Sequence, residues 1–490
     1  MTTLLDAPTG PPPARSRRHA RSVPARWRLP LAVAAGVELV LLLWWAATYP
    51  GLTSYDSVVY VAQVTSGSWV SDHSVLYDAM VWLVLHLPGR LAVLTLAQTL
   101  AASAALAYTC VALRALGVRG RWTATASLVL AVAPPTGAFV LYVWKDVPFT
   151  LCALLVFAAS AKVVVGRAGR IDWWVLGGAL AGLGLFRNNG LGMALVAGLV
   201  LVVAVRGRRL LLGVLTAAAV ALSLVCQLYL YPALGVRPPS TVSVYSLHYH
   251  DLAVAYAAEP AVFKDADRAV LAGVLPLDNW SADGRNCYVA DKLFNDWSFD
   301  RNAAERSNDR LIAIWKRLVK ERPDLIADAH ICRAHIGWAP FPGPKELNAY
   351  TWIASAAPTP HDLYDIARPG GPMDGNPYRS TLYTHPLSTK LNHAAQFWYN
   401  AWKTRQLDWL LFRGATWAYL GYAALWLFAR GRRMRPVLAL AGVTVGYQLS
   451  ILVANPAPLY RYMVGPMFIG AFCLTLLTAR REGQRAEPKG

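Results

Sequence analysis

Apolar residues in this chain gather into ten blocks, 31–49, 91–113, 123–142, 147–165, 173–186, 190–205, 210–231, 409–429, 436–454 and 461–479. A bilayer core is crossed by about 20 mostly apolar residues in helical form, because lipid offers the backbone no hydrogen-bond partner and a helix supplies its own. The pattern predicts an all-α polytopic membrane protein with about ten transmembrane helices. Basic clusters at Arg114/Arg119/Arg121, Lys162/Arg167/Arg170, Arg206/Arg208/Arg209 and Arg430/Arg432/Arg433/Arg435 fall after every second block. Basic residues stay on the cytoplasmic side, so each cluster marks a cytoplasmic turn, and both termini are expected there as well. Residues 1–30, rich in Pro and Arg, read as a disordered basic cytoplasmic tail, and 481–490 as a second tail. No small-residue cleavage pattern follows the first block, which is expected to stay as a span rather than leave as a signal peptide.

The same alternation sets four segments on the outer face: loop 50–90, the Lys145-Asp146 junction, the Arg187-Asn188-Asn189 junction, and 232–408 together with 455–460. In loop 50–90, Val58, Val59, Val61 and Val64 give one apolar face and 75–87 another. Two short amphipathic helices are expected there, of the kind that can lie in the interface plane. Segment 232–408 is polar and carries Pro/Gly-rich stretches at 339–344 and 368–377. Leu311, Ile314, Trp315, Leu318 and Val319 recur at helical spacing, and Pro323 suits the first turn of a following helix. The expected organisation is a module of about seven helices (31–231), a compact, mostly helical extracytoplasmic domain (232–408) and about three further helices (409–480).

Composition agrees. Of 490 residues, 56% are hydrophobic and only 15% charged, where soluble domains hold nearer a quarter. The net charge of +19 suggests nucleic-acid binding at first sight, but its distribution argues against it. The two tails and four basic turns hold 23 Lys and Arg against Asp6, Asp172, Glu482 and Glu487, which accounts for the whole excess. Segment 232–408 is neutral, with 19 bases and 19 acids. Cys110, Cys152, Cys226 and Cys473 fall in apolar blocks, as small core residues do. Cys287 and Cys332 share the outer segment, where an oxidising compartment permits either a disulfide or free thiols.

Charges near a membrane are costly, so those kept at span ends need a reason. Asp56, two residues after Ser54, stands where a carboxylate could take a proton from an acceptor hydroxyl; it equally suits a helix N-cap. Asp72 and His73 open the second short helix, as a cap with a solvated histidine or as a substrate or metal contact beside Asp56. Lys145 and Arg187 suit phosphate binding, the first as a point charge and the second as a bidentate fork. A lone base at an interface can also simply snorkel, although Asp146, Asn188 and Asn189 have no part in such anchoring. Tyr460 and Arg461 offer a further phosphate contact or an aromatic belt with its arginine anchor. His248 and His250 lack a clear metal ligand set, and Asn279-Trp280-Ser281 is a weak glycosylation pattern. A P-loop, a dinucleotide fingerprint, a Cys-x-x-Cys pair and a Gly-x-Ser-x-Gly elbow are all missing from the sequence.

The ordered set Tyr49-Pro50-Gly51, Ser54-Tyr55-Asp56-Ser57, Trp144-Lys145-Asp146-Val147-Pro148-Phe149 and Phe186-Arg187-Asn188-Asn189-Gly190 resembles the GT-C superfamily, membrane glycosyltransferases that use polyprenyl-phosphate sugars. Arg322-Pro323-Asp324-Leu325 and Gly337-Trp338-Ala339-Pro340 resemble the outer domain of a bacterial branch of it. The resemblance covers 31–231 well and 303–340 loosely. It implies a catalytic Asp in the first outer loop, which Asp56 matches. Many members carry a second acid beside it; Ser57 stands there in this chain, and Asp146 becomes the candidate second catalytic acid. Lys145, Arg187 and Arg461 would face the phosphate of the donor, with Asp72, His73, Asn188, Asn189 and Tyr460 as substrate contacts. Partners would be a polyprenyl-phosphate sugar, a glycan or glycolipid acceptor and the bilayer, with no nucleic acid; a divalent metal is an open possibility. The Ala/Arg/Val-heavy composition suggests a bacterial plasma membrane and a cell-envelope product. Two other classes fit the topology: a flippase of lipid-linked sugars, expected to show polar residues at broken mid-span helices, and a non-catalytic assembly scaffold.

Overall fold

A computed structural model describes residues 25–479 apart from 88, 345, 347–370, 372 and 433. Residues 1–24, 481–490 and part of the 368–377 stretch thus lie outside the described residues, while 25–30, expected as tail, form the start of the first helix. The fold is all helical; among the described residues, extended pairing is limited to the isolated bridges Leu52–Tyr142 and Val70–Arg237. The first module runs α1 (Ala25–Ala47), α2 (Tyr55–Ser66), α3 (Val75–His86), α4 (Leu91–Arg114), α5 (Gly120–Val132), α6 (Asp146–Val164), α7 (Arg170–Phe186), α8 (Gly190–Ala204) and α9 (Arg209–Val225). The outer segment contributes α10 (Thr241–Ala258), α11 (Asp291–Phe294), α12 (Asn308–Glu321), α13 (Pro323–Arg333) and α14 (Thr389–Trp402). Three helices close the chain: α15 (Gly414–Arg432), α16 (Gly442–Val453) and α17 (Val464–Thr475).

Six helical stretches among the described residues are long and apolar enough to cross a membrane, and a seventh is added if a bent pair counts as one span. The ten expected spans are therefore not all matched: α7 and α8 have only 17 and 15 residues, and α15 is not among the stretches that qualify. The bent pair is α5 with Pro134–Leu141, which turn by 79°. The bend has a local cause. Pro134 and Pro135 lack the N–H groups that would continue the ladder, and the carbonyls left over are taken by side chains: Thr136 Oγ1 donates to Leu130 O, and Trp44 Nε1 to Ala131 O at 3.1 Å. Gly137 packs where a β-carbon would lie 2.0 Å from Ala131 O, so only glycine lets the turn close this tightly. The bend brings residues 138–146 beside loop 50–90.

Three apolar cores form. The largest joins the spans through residues such as Leu154, Phe157, Leu183, Tyr447 and Phe468. Within the bundle Glu38 is held by Thr99 Oγ1 at 2.9 Å and Ser103 Oγ at 2.6 Å, which links α1 to α4 through a satisfied intramembrane acid. A second core, with Tyr249, Leu252, Trp280, Leu311, Leu318 and Ile326, belongs to the outer segment between 242 and 326. Pro323 does open a helix, and Arg322 before it binds Glu259 at 2.6 Å and Asp324 at 2.8 Å. The third core lies under loop 50–90, where Val58, Tyr60, Val61, Tyr77 and Val81 of the two expected short helices pack with Met373 and Leu382.

Segment 232–408 is therefore not closed on a single core as the sequence suggested. Its last part folds back: Thr53 Oγ1 donates to Leu382 O at 2.9 Å, Asn376 Nδ2 to Thr65 Oγ1 at 2.6 Å, and Asn392 Nδ2 of α14 to Ala47 O at 2.8 Å. The reason is polar. Ala47 and Thr53 sit where α1 ends and Thr65 where α2 ends; the returning chain supplies donors to Ala47 and Thr65 and an acceptor to Thr53. Cys287 and Cys332 are disulfide-bonded, with their Cα atoms 5.7 Å apart.

Candidate functional site

Loop 50–57 is laced to the segment that follows the bend. Leu52 N–H donates to Leu141 O at 2.9 Å and Val143 N–H to Leu52 O at 2.8 Å. Ser57 Oγ donates to Val143 O at 2.9 Å, and Trp144 Nε1 to Ser54 Oγ at 2.5 Å. Ser57, standing where the resemblance leads one to expect an acid, thus stitches loop 50–57 to the segment after the bend. The lacing sets the first turns of α2 and α6 side by side, and with them Asp56 and Asp146. Helix N-termini favour negative charge, but two carboxylates brought together still require cations.

The cations come from two other junctions. Arg461 Nη1 binds Asp56 Oδ2 at 2.7 Å and approaches Asp146 Oδ2 to 3.9 Å. Arg187 Nη1 binds Asp146 Oδ1, and Arg187 Nε donates to Asn189 Oδ1 at 3.1 Å. Aromatic rings steady both guanidinium groups. Arg461 lies 4.8 Å from the Trp144 ring centre and 4.9 Å from that of Tyr462; Arg187 lies 4.9 Å from Tyr462 and 5.4 Å from Phe149. The result is one chain of alternating charge, Asp56–Arg461–Asp146–Arg187, with side chains between 2% and 17% exposed.

Beside this chain lies a cavity of about 180 Å³ lined by Asp72, His73, Lys145, Arg187, Asn188 and Asn189, with Ser74, Phe186 and Ala454. Six of the residues expected from sequence thus meet around one hollow. Lys145 Nζ donates to His73 Nδ1 at 2.6 Å. Burial and the ammonium of Lys145 push His73 down to about 4, so its ring is neutral at ordinary pH. Burial also lowers Lys145, against the pull of Asp56 and Asp146. Asp56 and Arg461 do not line the cavity; they reach it through Asp146 and Arg187. For Asp56 burial acts upward, yet Arg461, with Lys145 behind it, holds its carboxyl well below the usual carboxylate range.

Tyr460 is placed differently from expectation. It is 1% exposed and packs between Phe139 and Phe412, inside the main core. Tyr462, two residues on, takes the position beside both arginines, because the 3₁₀ turn Tyr460–Met463 points these residues in different directions. Sequence reading also missed Trp144 as a cation platform, although it sat within a quoted motif. It missed Asp291 altogether, an outer-segment acid that interacts electrostatically with Arg461, Asp56 and Tyr462.

Among the described residues no group of three or more His, Cys, Asp or Glu converges in a way that could hold a metal ion. Asp56 and Asp146 already direct carboxylate oxygens to guanidinium groups, so this pair does not fit a divalent cation, and no step is drawn through one. His250 is turned to Arg333, 3.0 Å away, in the outer core. No family model, no curated protein and no solved structure matches this chain.

Proposed function

We propose that this protein is a membrane glycosyltransferase of GT-C type, with ten spans in a bacterial plasma membrane and its site on the outer face. It moves a sugar from a polyprenyl-phosphate donor to a cell-envelope glycan or glycolipid. One observation carries the reading: the charge chain Asp56–Arg461–Asp146–Arg187 stands against a cavity that holds Lys145. Lys145, Arg187 and Arg461 converge there from three separate junctions, and a cluster of cations suits a phosphate diester. A donor of this kind keeps its tail in lipid and its anomeric carbon at the outer interface, level with the ends of the spans.

In the reaction the acceptor oxygen bonds to the anomeric carbon while the bond from that carbon to the phosphate oxygen breaks. The electron pair leaves on the polyprenyl phosphate, and preorganised cations stabilise it. Lys145, Arg187 and Arg461 fill that role, and Asp56 is the general base. Tied to Arg461, Asp56 is a weak base; a donor phosphate that draws Arg461 away frees the carboxylate to take the acceptor's proton. Attack from the face opposite the phosphate inverts the anomeric centre.

The test is turnover of polyprenyl-phosphate hexoses by purified protein and by its Asp56→Asn variant. Loss of turnover in the variant is expected, and the wild-type rate would remove Asp56 from the base role. The flippase reading draws on the break at Pro134. The carbonyls freed there are bound by Thr136 and Trp44 instead of facing a water-filled path, which favours the transferase.

A further inference from the structure

Asp291 opens the short helix α11, and three contacts settle where it lies. Ala290 N–H donates to Pro456 O at 2.7 Å, five residues before Arg461. Asn455 Nδ2 donates to Arg333 O at 2.5 Å, and the Cys287–Cys332 bond ties the chain just before α11 to the same end of α13. The neighbours of Asp291 are anchored too, with Ala290 1% and Leu293 0% exposed. The outer segment thus fixes the chain next to Asp291 against Pro456, on the stretch that leads to the turn bearing Arg461. Its carboxylate is attracted by Arg461, repelled by Asp56 and felt by Tyr462. Among the described residues no side chain hydrogen-bonds to it, and it is partly open to solvent.

A third carboxylate at this place does not serve a phosphate, which it would repel. It stands on the outer-segment side of the charge chain, where a water-borne acceptor arrives, while the donor arrives from lipid. A carboxylate presents two acceptor oxygens and suits neighbouring hydroxyl groups. We propose that Asp291 is the acceptor-positioning residue of this site, accepting hydrogen bonds from hydroxyls of a carbohydrate acceptor and steering the reacting one toward Asp56. This rests on the transferase reading above.

The hydrogen bonds need the ionised form. Burial raises the Asp291 carboxyl, Arg461 opposes that and Asp56 adds to it, leaving it at about 6. Protonation below that pH turns one oxygen into an O–H donor and removes the charge that strengthens the bonds to the other, so acceptor KM climbs as pH falls through this range, more steeply than donor KM does.

The experiment uses the full chain in detergent, a set of short-chain prenyl-phosphate hexoses as donors and methyl glycosides as acceptors. It compares wild type, Asp291→Asn, Asp291→Glu and Asp56→Asn. Expected for Asp291→Asn is an acceptor KM raised at least about ten-fold, the loss of one or two hydrogen bonds to a charged group. Its hydrolysis of donor without acceptor changes far less than its acceptor KM, that KM no longer depends on pH near 6, and Asp291→Glu recovers part of the affinity. An Asp291→Asn KM within two-fold of wild type overturns the assignment and leaves the transferase reading standing. Wild-type protein that neither hydrolyses any donor nor transfers to any glycoside overturns the transferase reading, and this role with it.

Discussion

Arg461 donates to Asp56 at 2.7 Å across 405 positions of chain. The guanidinium also approaches Asp146, 3.9 Å away, and lies against Trp144 and Tyr462. A planar fork can touch two carboxylates and two rings at once, where an ammonium is a single point. Arg461→Lys is therefore expected to fold, keep one contact to Asp56 and bind donor about ten-fold more weakly, the loss of one charged hydrogen bond. The donor KM of the lysine variant measures this; an unchanged value would show that neither the fork nor the ring contacts matter.

Asp146 is held between the two arginines, with its side chain only 2% exposed. Removing one partner of a buried pair leaves an uncompensated charge, at a cost of about 3 kcal/mol or more. Asp146→Ala should lower the thermal midpoint in detergent clearly, because Arg187 loses its carboxylate. The double variant Asp146→Ala/Arg187→Met should recover much of that loss, since no buried charge is then left alone. A double variant no more stable than the single one argues that Arg187 has another strong partner.

The disulfide between Cys287 and Cys332 closes a loop with a sequence separation of 45. By chain entropy alone such a link is worth about 4 kcal/mol. Cys287→Ala/Cys332→Ala should destabilise the outer segment by an amount of that order, read as faster proteolysis between 242 and 332 with the spans left intact. Because the link also braces the approach to Asp291, transfer should suffer more than donor hydrolysis. Equal losses of both would detach the disulfide from acceptor handling.

Asp78 in α3 is 0% exposed, and neither carboxylate oxygen finds a hydrogen-bond partner. Burial pushes its carboxyl up to about 8, with Lys145 opposing and Asp72 reinforcing. The folded protein thus prefers the neutral acid. That preference stabilises fully below the ordinary carboxylate range and is lost as pH rises through about 8. Asp78→Asn mimics the neutral form, so its advantage in thermal midpoint should grow from pH 5 to pH 9. A constant difference between variant and wild type across that range would show that Asp78 is ionised throughout.

The period and length of the apolar blocks determined that this chain is helical and belongs in a membrane, since those properties are local: each helix satisfies its own backbone. Pro323 marked a real helix start, and Val58, Val61 and Val64 a real buried face, for the same reason, while Val59 falls outside that core. Charges too costly to leave at span ends pointed to Asp56, Lys145, Asp146, Arg187 and Arg461 before any coordinates. Only the tertiary structure decided which of them touch. The break at Pro134 and the lacing of Leu52 to Leu141 and Val143 bring distant junctions together. A 3₁₀ turn chose Tyr462 over Tyr460, and a carbonyl of Pro456 anchored the chain next to Asp291 through Ala290 N–H. Contacts of that kind depend on where separate helices come to rest, a matter of three-dimensional packing that no residue's own neighbours along the chain encode.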